Sequence, residues 1–383
     1  MEYVDRRGTN CCKWDGQNGM FGESGLHAMW VADMDIKVPE CVRKVLHDYV
    51  DLGIFGYVSV PDSYYEAFIN WEQKRHGCTV KKEWLRFSPG VVSAFNWIVQ
   101  FMTKEQDAVI VTTPVYYPFL NAVKDNRRTL ITSDLKEENG IYTIDFEDFE
   151  KKIEENQVKL FILCSPHNPI GRVWKQEELQ KLFEICRRHN VFVISDEIHQ
   201  DLVYGGHKHV TSLLFEEYRD MMIVISAPSK TFNLAGAQNS FVIIPDSKIR
   251  EKWDLYVKAI HVTGGNAFGY IAAEAAYRGG EEWLEEVKGQ ILKNYEYLKE
   301  ILTSQFPEIT VSPLEGTYLA WIDLGAYVKP EEMRDFMQKK CRMAVDYGDW
   351  FGGERFGGHI RINLATSMEN MKIGAEAICA NLK

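Results

Sequence analysis

Several features that would classify a chain at a glance are missing here. No two cysteines form a CxxC pair: the eight cysteines are scattered, and the adjacent Cys11 and Cys12 suit neither a bridge nor a zinc finger. No apolar run approaches the length of a membrane span, and the opening MEYVDRRGTN lacks the apolar core of a signal peptide. Positive charge is not in excess either. A formal net charge of -11 argues against a nucleic-acid partner and against an anionic membrane surface. The histidines of YGGHKHV, His207 and His209, lie two apart on a predicted loop, which is no metal site; surface histidines are expected there. These absences predict a reduced, cytoplasmic protein without a metal, a membrane or a nucleic acid.

What is present is a well-packed globular composition, 45% apolar and 13% aromatic. At 383 residues the chain is too long for one ordinary core. From about residue 85 to 245, short β-rich runs alternate with helix-length segments. DAVIVTTP, VKLFILCSP, VFVISDEI, MMIVIS and SFVIIP are apolar on both faces, as strands covered on both sides would be. In KQEELQKLFEICRRHN, Leu179, Leu182, Phe183 and Cys186 fall at i, i+3, i+4 and i+7, one apolar helix face. Glu177 and Glu178 near its start and Arg187 and Arg188 near its end match the helix dipole. This is α/β grammar, with a mostly parallel sheet between helices and ligands expected at the carboxyl ends of strands. After residue 280 the pattern changes to one long amphipathic helix followed by GTYLAWIDL and HIRINLATS, read as strands. The expected division is a large domain over 45–280 and a smaller α+β domain built from 1–44 and 281–383.

The residues that follow the strands of the large domain carry the chemistry. Tyr116 and Tyr117 follow the first run, Asn168 the second, Asp196 and His199 the third, and Lys230 the fourth. Each has an ordinary reading taken singly: Asp196 as a turn cap, Asn168 before Pro169 as a turn residue, Tyr116 as core. At consecutive strand ends they form a constellation. A lysine that can lose its proton forms a Schiff base with a carbonyl. The carbonyl cofactor that needs a carboxylate against a ring nitrogen is pyridoxal phosphate. Asp196 suits that nitrogen, Asn168 the phenolic oxygen and Tyr116 the ring face. For the phosphate, SPGVVSAFNWIVQFM supplies a glycine turn into a helix whose first amides, Val91 and Val92, are free, and Ser226 and Ser229 add hydroxyls.

SPHNPIGRVW, ISDEIHQDLVY and SKTFNLAG, in that order, resemble pyridoxal-phosphate enzymes of aminotransferase fold type I. More narrowly, RRGTNCCKWD, MWVADMDI, PGVVSAF, TPVYYPF and EGTYLAW resemble the cystathionine β-lyase subgroup named after MalY and PatB. The resemblance runs from about Arg6 to RINLATS. It implies a fold-type-I transferase architecture with Lys230 as the cofactor-bearing, acid–base lysine. It further implies Tyr57 reaching the phosphate of a neighbouring subunit, hence a homodimer with shared sites, and Arg361 as the clamp for a substrate α-carboxylate. Tyr117 is expected beside the substrate. The reaction implied is β-elimination from cystathionine or a related sulfur-containing amino acid, giving a thiol, pyruvate and ammonia.

Two positions depart from the wider aminotransferase pattern, and a third departs from the subgroup. Gln238 stands where an arginine usually binds the phosphate, His199 where a tyrosine is common, and Ile36 in ADMDI where the subgroup often has phenylalanine. The first two favour a lyase. A transaminase and a MalY-like protein with a regulatory role are the alternatives. Side-chain selectivity is expected from residues 34–39, Tyr117 and the glycine-rich DYGDWFGGERFGG, read as a mobile lid or a long turn.

Overall fold

The structure, a computed structural model, describes residues 1–262 and 264–382. Its centre is a seven-stranded sheet. The strands are β1 (Leu85–Ser88), β2 (Ala108–Thr113), β3 (Thr129–Asp134), β4 (Leu160–Cys164), β5 (Phe192–Asp196), β6 (Met222–Ser226) and β7 (Ser240–Ile243), in spatial order β1-β7-β6-β5-β4-β2-β3. The pairings from β3 through β6 are parallel, whereas β7 runs antiparallel to both β6 and β1. The reason is local. The chain from β6 to β7 contains only short helical turns, so no crossover helix returns it to the starting edge.

Every residue of β2, β4 and β6 is buried, as the unbroken apolar runs predict. Alternate side chains feed two cores. Val109, Val111, Leu160, Ile162, Ile194 and Ile223 face one, and Ile110, Phe161, Leu163, Val193, Met222 and Val224 face the other. The helices around the sheet are α1 (Glu40–Leu52), α2 (Asp62–His76), α3 (Val91–Met102), α4 (Tyr117–Asp125), α5 (Phe146–Asn156), α6 (Gln176–Arg188), α7 (Ser247–Ala259) and α8 (Ala267–Gly279). The predicted face of α6, Leu179, Leu182, Phe183 and Cys186, is buried. Its Glu178 does more than suit the dipole: it caps the helix at the Lys175 amide (2.8 Å) and holds Arg172 (2.9 Å).

The last third forms a four-stranded antiparallel sheet from β8 (Thr310–Val311), β9 (Leu319–Asp323), β10 (Asp346–Tyr347) and β11 (His359–Asn363), in order β8-β9-β11-β10. Two helices, α9 (Glu281–Gln305) and α10 (Met368–Asn381), pack together beside it. Along α9, Leu284, Val287, Ile291, Tyr295, Leu298 and Leu302 recur at three- and four-residue steps on the buried face. The N-terminal segment joins this part of the molecule. His27–Ala28 pairs with Met343–Ala344, and the Asp35 amide donates to the Ala365 carbonyl (3.1 Å). The glycine-rich 346–358 segment is not a free-standing lid: Asp346 and Tyr347 are strand residues, and Asp346 and Phe351 are buried. Its glycines let it turn tightly; a Cβ on Gly348 would meet the Phe356 carbonyl at 2.0 Å. Among the described residues no helix is long and apolar enough to cross a membrane.

Candidate active site

A cavity of about 180 Å³ opens at the carboxyl ends of the parallel strands. Val91, Val92, Tyr116, Asn168, Asp196, His199, Ser229 and Lys230 all line it. Arg361 reaches it through Asn168, whose Oδ1 accepts from Arg361 Nη1 at 2.8 Å. Tyr117 stands just outside, its ring edge-on to Trp350 and Phe351 with centroids 5.9 and 5.7 Å away. Two expected residues lie elsewhere. Ser226, the last residue of β6, is buried in the sheet away from the lining, and Tyr57 is fully exposed on the surface of its own chain. Gln238 is also exposed and off the cavity.

Lys230 sits on a four-residue helical turn, Pro228–Thr231, directly after β6. Its Nζ donates to the Ala32 carbonyl at 2.5 Å. Burial first, and the Arg361 charge second, push the amine down to about 8, with Asp33 and Asp196 opposing. At pH 7.5 that leaves roughly a quarter of the amine neutral, against about one part in a thousand for an ordinary lysine. Asp196 is only 3% exposed. It accepts one hydrogen bond, from the Ile198 amide (3.1 Å), and among the described residues it has no ion-pair partner. Burial pushes its carboxyl up to about 7, with the Glu197 charge adding to the shift and Lys230 opposing. His199 is held well below its ordinary value by burial and by the Lys230 and Arg361 charges, so its ring is neutral at neutral pH, and its Nδ1 has no partner among the described residues.

These residues fit pyridoxal phosphate. A protonated ring nitrogen against Asp196 answers the lone buried carboxylate, and returning that group to its ordinary value corresponds to roughly 4 kcal/mol. At the opposite end the amides of Val91, Val92 and Ser93 precede the first helical bond of α3, Ala94 N–H to Gly90 O (3.0 Å), and so offer donors to a phosphate. Asn239, absent from the sequence expectations, lines the same cavity. Its Oδ1 accepts from the Tyr64 hydroxyl (2.9 Å), and its Nδ2 is buried with no partner among the described residues. It is the residue after Gln238, and nothing in a lone polar residue at a strand start marks it in advance.

The N-terminal motifs also acquire a physical role. Asp35, 3% exposed, receives Lys13 Nζ (2.7 Å), Arg6 Nη2 (2.9 Å), Trp14 Nε1 (3.1 Å) and the Thr366 hydroxyl (2.9 Å). Arg6 also forks onto Asp33 (2.7 and 2.8 Å). This cluster fixes residues 32–36 and with them the Ala32 carbonyl, which also accepts from the Tyr318 hydroxyl at 2.7 Å. Asn233, three residues after Lys230, binds the Met34 and Ile36 carbonyls (3.0 Å each) and ties the lysine turn to the same strip.

Behind the cavity lies a second buried network. Asp201 takes Thr231 Oγ1 (2.9 Å), Trp71 Nε1 (3.0 Å) and His76 Nε2 (3.0 Å), while Glu197 pairs with His209 at 3.0 Å. His209 is therefore buried and hydrogen-bonded to Glu197 rather than on the surface, because its loop folds inward against the carboxylate beside Asp196. Among the described residues no group of three His, Cys, Asp or Glu side chains is arranged to hold a metal ion.

The comparisons agree on one lineage. The family described as aminotransferase class I and II matches residues 32–378. Cystathionine beta-lyase PatB of Bacillus subtilis is 41% identical over 382 residues, covering 99% of this chain and 98% of that protein. The pyridoxal-phosphate-bound C-S lyase of Staphylococcus hominis is 37% identical with a TM-score of 0.94, covering 100% of this chain and 97% of that one. Cystalysin of Treponema denticola, whose structure contains pyridoxal 5'-phosphate, is 35% identical with a TM-score of 0.94, covering 100% and 98%.

Proposed function

The chain belongs to the aminotransferase class I and II family, and from that premise we propose that it is a pyridoxal-phosphate-dependent carbon–sulfur β-lyase. Its substrate is L-cystathionine or a related cysteine S-conjugate, and its products are a thiol, pyruvate and ammonia. The observation that carries this reading is one cavity in which a lysine amine lowered to about 8 and a buried Asp196, unpaired among the described residues, lie together, with Arg361 held against the cavity's Asn168. The full-length likeness to lyases supports it over the transaminase alternative.

Pyridoxal phosphate, when bound, supplies an electron sink for the charge left at the substrate α-carbon. Lys230 is the amine that carries the cofactor and then takes the α-proton; its lowered pKa makes that base available near neutral pH. Asp196 would hold the ring nitrogen protonated, Asn168 and neutral His199 would serve the phenolic side, and Tyr116 would cover the ring. The amides of Val91 and Val92 would hold the phosphate with Ser229 and Asn239, and Ser226, off the cavity, is given no role in it. Arg361 would grip the substrate α-carboxylate, and Tyr117, packed on Trp350 and Phe351, would stand beside the substrate side chain.

An apolar strip, Leu52, Ile54, Phe55 and Phe268, is exposed around Tyr57, which supports a homodimer in which Tyr57 completes the partner's phosphate site. Residues 45–280 form the cofactor-binding unit and 1–44 with 281–383 the smaller one. A cytoplasmic setting is proposed with these, supported by eight cysteines that stand as free thiols.

The test is pyruvate release from L-cystathionine by cofactor-loaded protein without any keto acid. Steady pyruvate and ammonia, lost in Lys230→Ala, are expected. Turnover that appears only after a keto acid is added would make the protein a transaminase.

A further inference from the structure

Arg361, the residue read above as the α-carboxylate clamp, already holds a carboxylate of its own chain. Asp346 lies directly across from it in the β10–β11 pairing, so both side chains project from the same face. Asp346 Oδ2 accepts from Arg361 Nη2. The two residues are 1% and 2% exposed. The contact is incomplete on both sides: Asp346 Oδ1 and Arg361 Nε are buried and have no partner among the described residues. Of the five guanidinium N–H donors, the others engaged go to Asn168 Oδ1 at 2.8 Å and the Trp30 carbonyl at 3.5 Å. The clamp thus keeps free donors for an incoming carboxylate, but with an anion already against it.

We propose that Asp346 is an internal stand-in for the substrate α-carboxylate, and that amino-acid binding is coupled to uptake of one proton by Asp346. The inference rests on Arg361 being the clamp. Two carboxylates on one buried guanidinium leave a net negative charge in a low-dielectric site, and neutralising one of them removes it. The substrate must remain ionised to be gripped by two donors, so the proton, drawn from solvent, goes to Asp346. No bond to carbon or sulfur changes in this step. Among the described residues, the groups facing Asp346 leave it no second cation. Arg361 faces it from β11, and the phenols of Tyr116 and Tyr117 from the start of α4 feel its charge, both kept neutral by burial. Burial already holds the Asp346 carboxyl above the ordinary range, with Arg361 opposing.

The experiment uses cofactor-loaded protein and 3-(methylthio)propionate, a carboxylate without an amino group that cannot react. Binding heats are measured from pH 6 to 8.5 in two buffers of different ionisation enthalpy, which counts protons. Wild type is expected to take up close to one proton per carboxylate at the alkaline end, with affinity falling about tenfold per pH unit there. Asp346→Asn is expected to take up none, and to bind more tightly than wild type at pH 8.5 with little pH dependence.

Absence of proton uptake in wild type overturns the proposal, as does equal uptake in Asp346→Asn. Weaker binding by Asp346→Asn at every pH overturns it too, making Asp346 only a holder of Arg361. No binding of the carboxylate to wild type overturns the clamp assignment and this inference together. A failure of lyase turnover with the proton count intact overturns the functional reading alone.

Discussion

Glu72 offers a sharp test of the buried network behind the active site. It lies on α2, 1% exposed, and accepts from Gln200 Nε2 at 2.5 Å. Burial, with Asp201 and Glu197 adding negative charge, pushes its carboxyl from 4.5 up to about 7, while His76 opposes. Between those two values the folded chain binds more protons than the unfolded one. Stability is therefore highest at the acid side of the window and is lost as pH rises through it. The full shift corresponds to about 3 kcal/mol, of which about 2 kcal/mol develops between pH 5.5 and 8.5. Glu72→Gln keeps an oxygen for Gln200 and removes the titration. Denaturant unfolding of the cofactor-loaded proteins at both pH values should show the variant gaining about 2 kcal/mol on wild type from acid to alkaline pH. Other titrating groups, including His76, are present in both proteins and cancel to first order. A wild-type-to-variant difference that stays constant across this range refutes the reasoning.

Asp196→Asn should lower kcat by about 10²–10³-fold, the usual loss for one electrostatic group at a reacting centre. In the cofactor-free protein it should also lower the Lys230 titration midpoint, because Asp196 supports the charged amine; the pH dependence of chemical modification of that amine checks this. Arg361→Lys keeps the charge but loses the planar fork, so KM for the amino acid should rise about 10- to 100-fold with a smaller change in kcat. Tyr57→Phe should weaken cofactor retention about tenfold, the worth of one hydrogen bond to a charged group. Equilibrium dialysis of the cofactor measures it, and unchanged retention removes Tyr57 from the phosphate site.

Much of the architecture was legible because its causes are local. The runs of β2, β4, β5 and β6 are apolar on both faces since each is covered on both faces, and the 3.6-residue periodicity of α6 and α9 is the imprint of one buried side. Lys230, Asp196, Asn168 and Tyr116 were readable because strand ends in such a sheet share one edge. The edge strands β1 and β3 were not read as strands. LRFS and TLITSD are short and partly exposed, with too little pattern to separate them from loop. Asn239 was not read as part of the site, and Asp346 was read only within the glycine-rich selectivity segment and not as the partner of Arg361; the inward fold of the His209 loop was hidden for the same reason, that each depends on a partner far away in sequence.

The sequence by itself determined the layered α/β body, the order of its strands' chemistry and the lysine turn after β6, because these follow from side-chain periodicity and from residue types adjacent in the chain. Tertiary structure alone decided the protonation of that chemistry. Lys230 falls to about 8 and Asp196 rises to about 7 through burial, and burial is a property of everything packed around a group. It also decided that Arg361 meets Asp346 and Asn168, and that Asp35 gathers Arg6, Lys13 and Thr366. Those partners are brought together by strand register and packing, which no local pattern encodes.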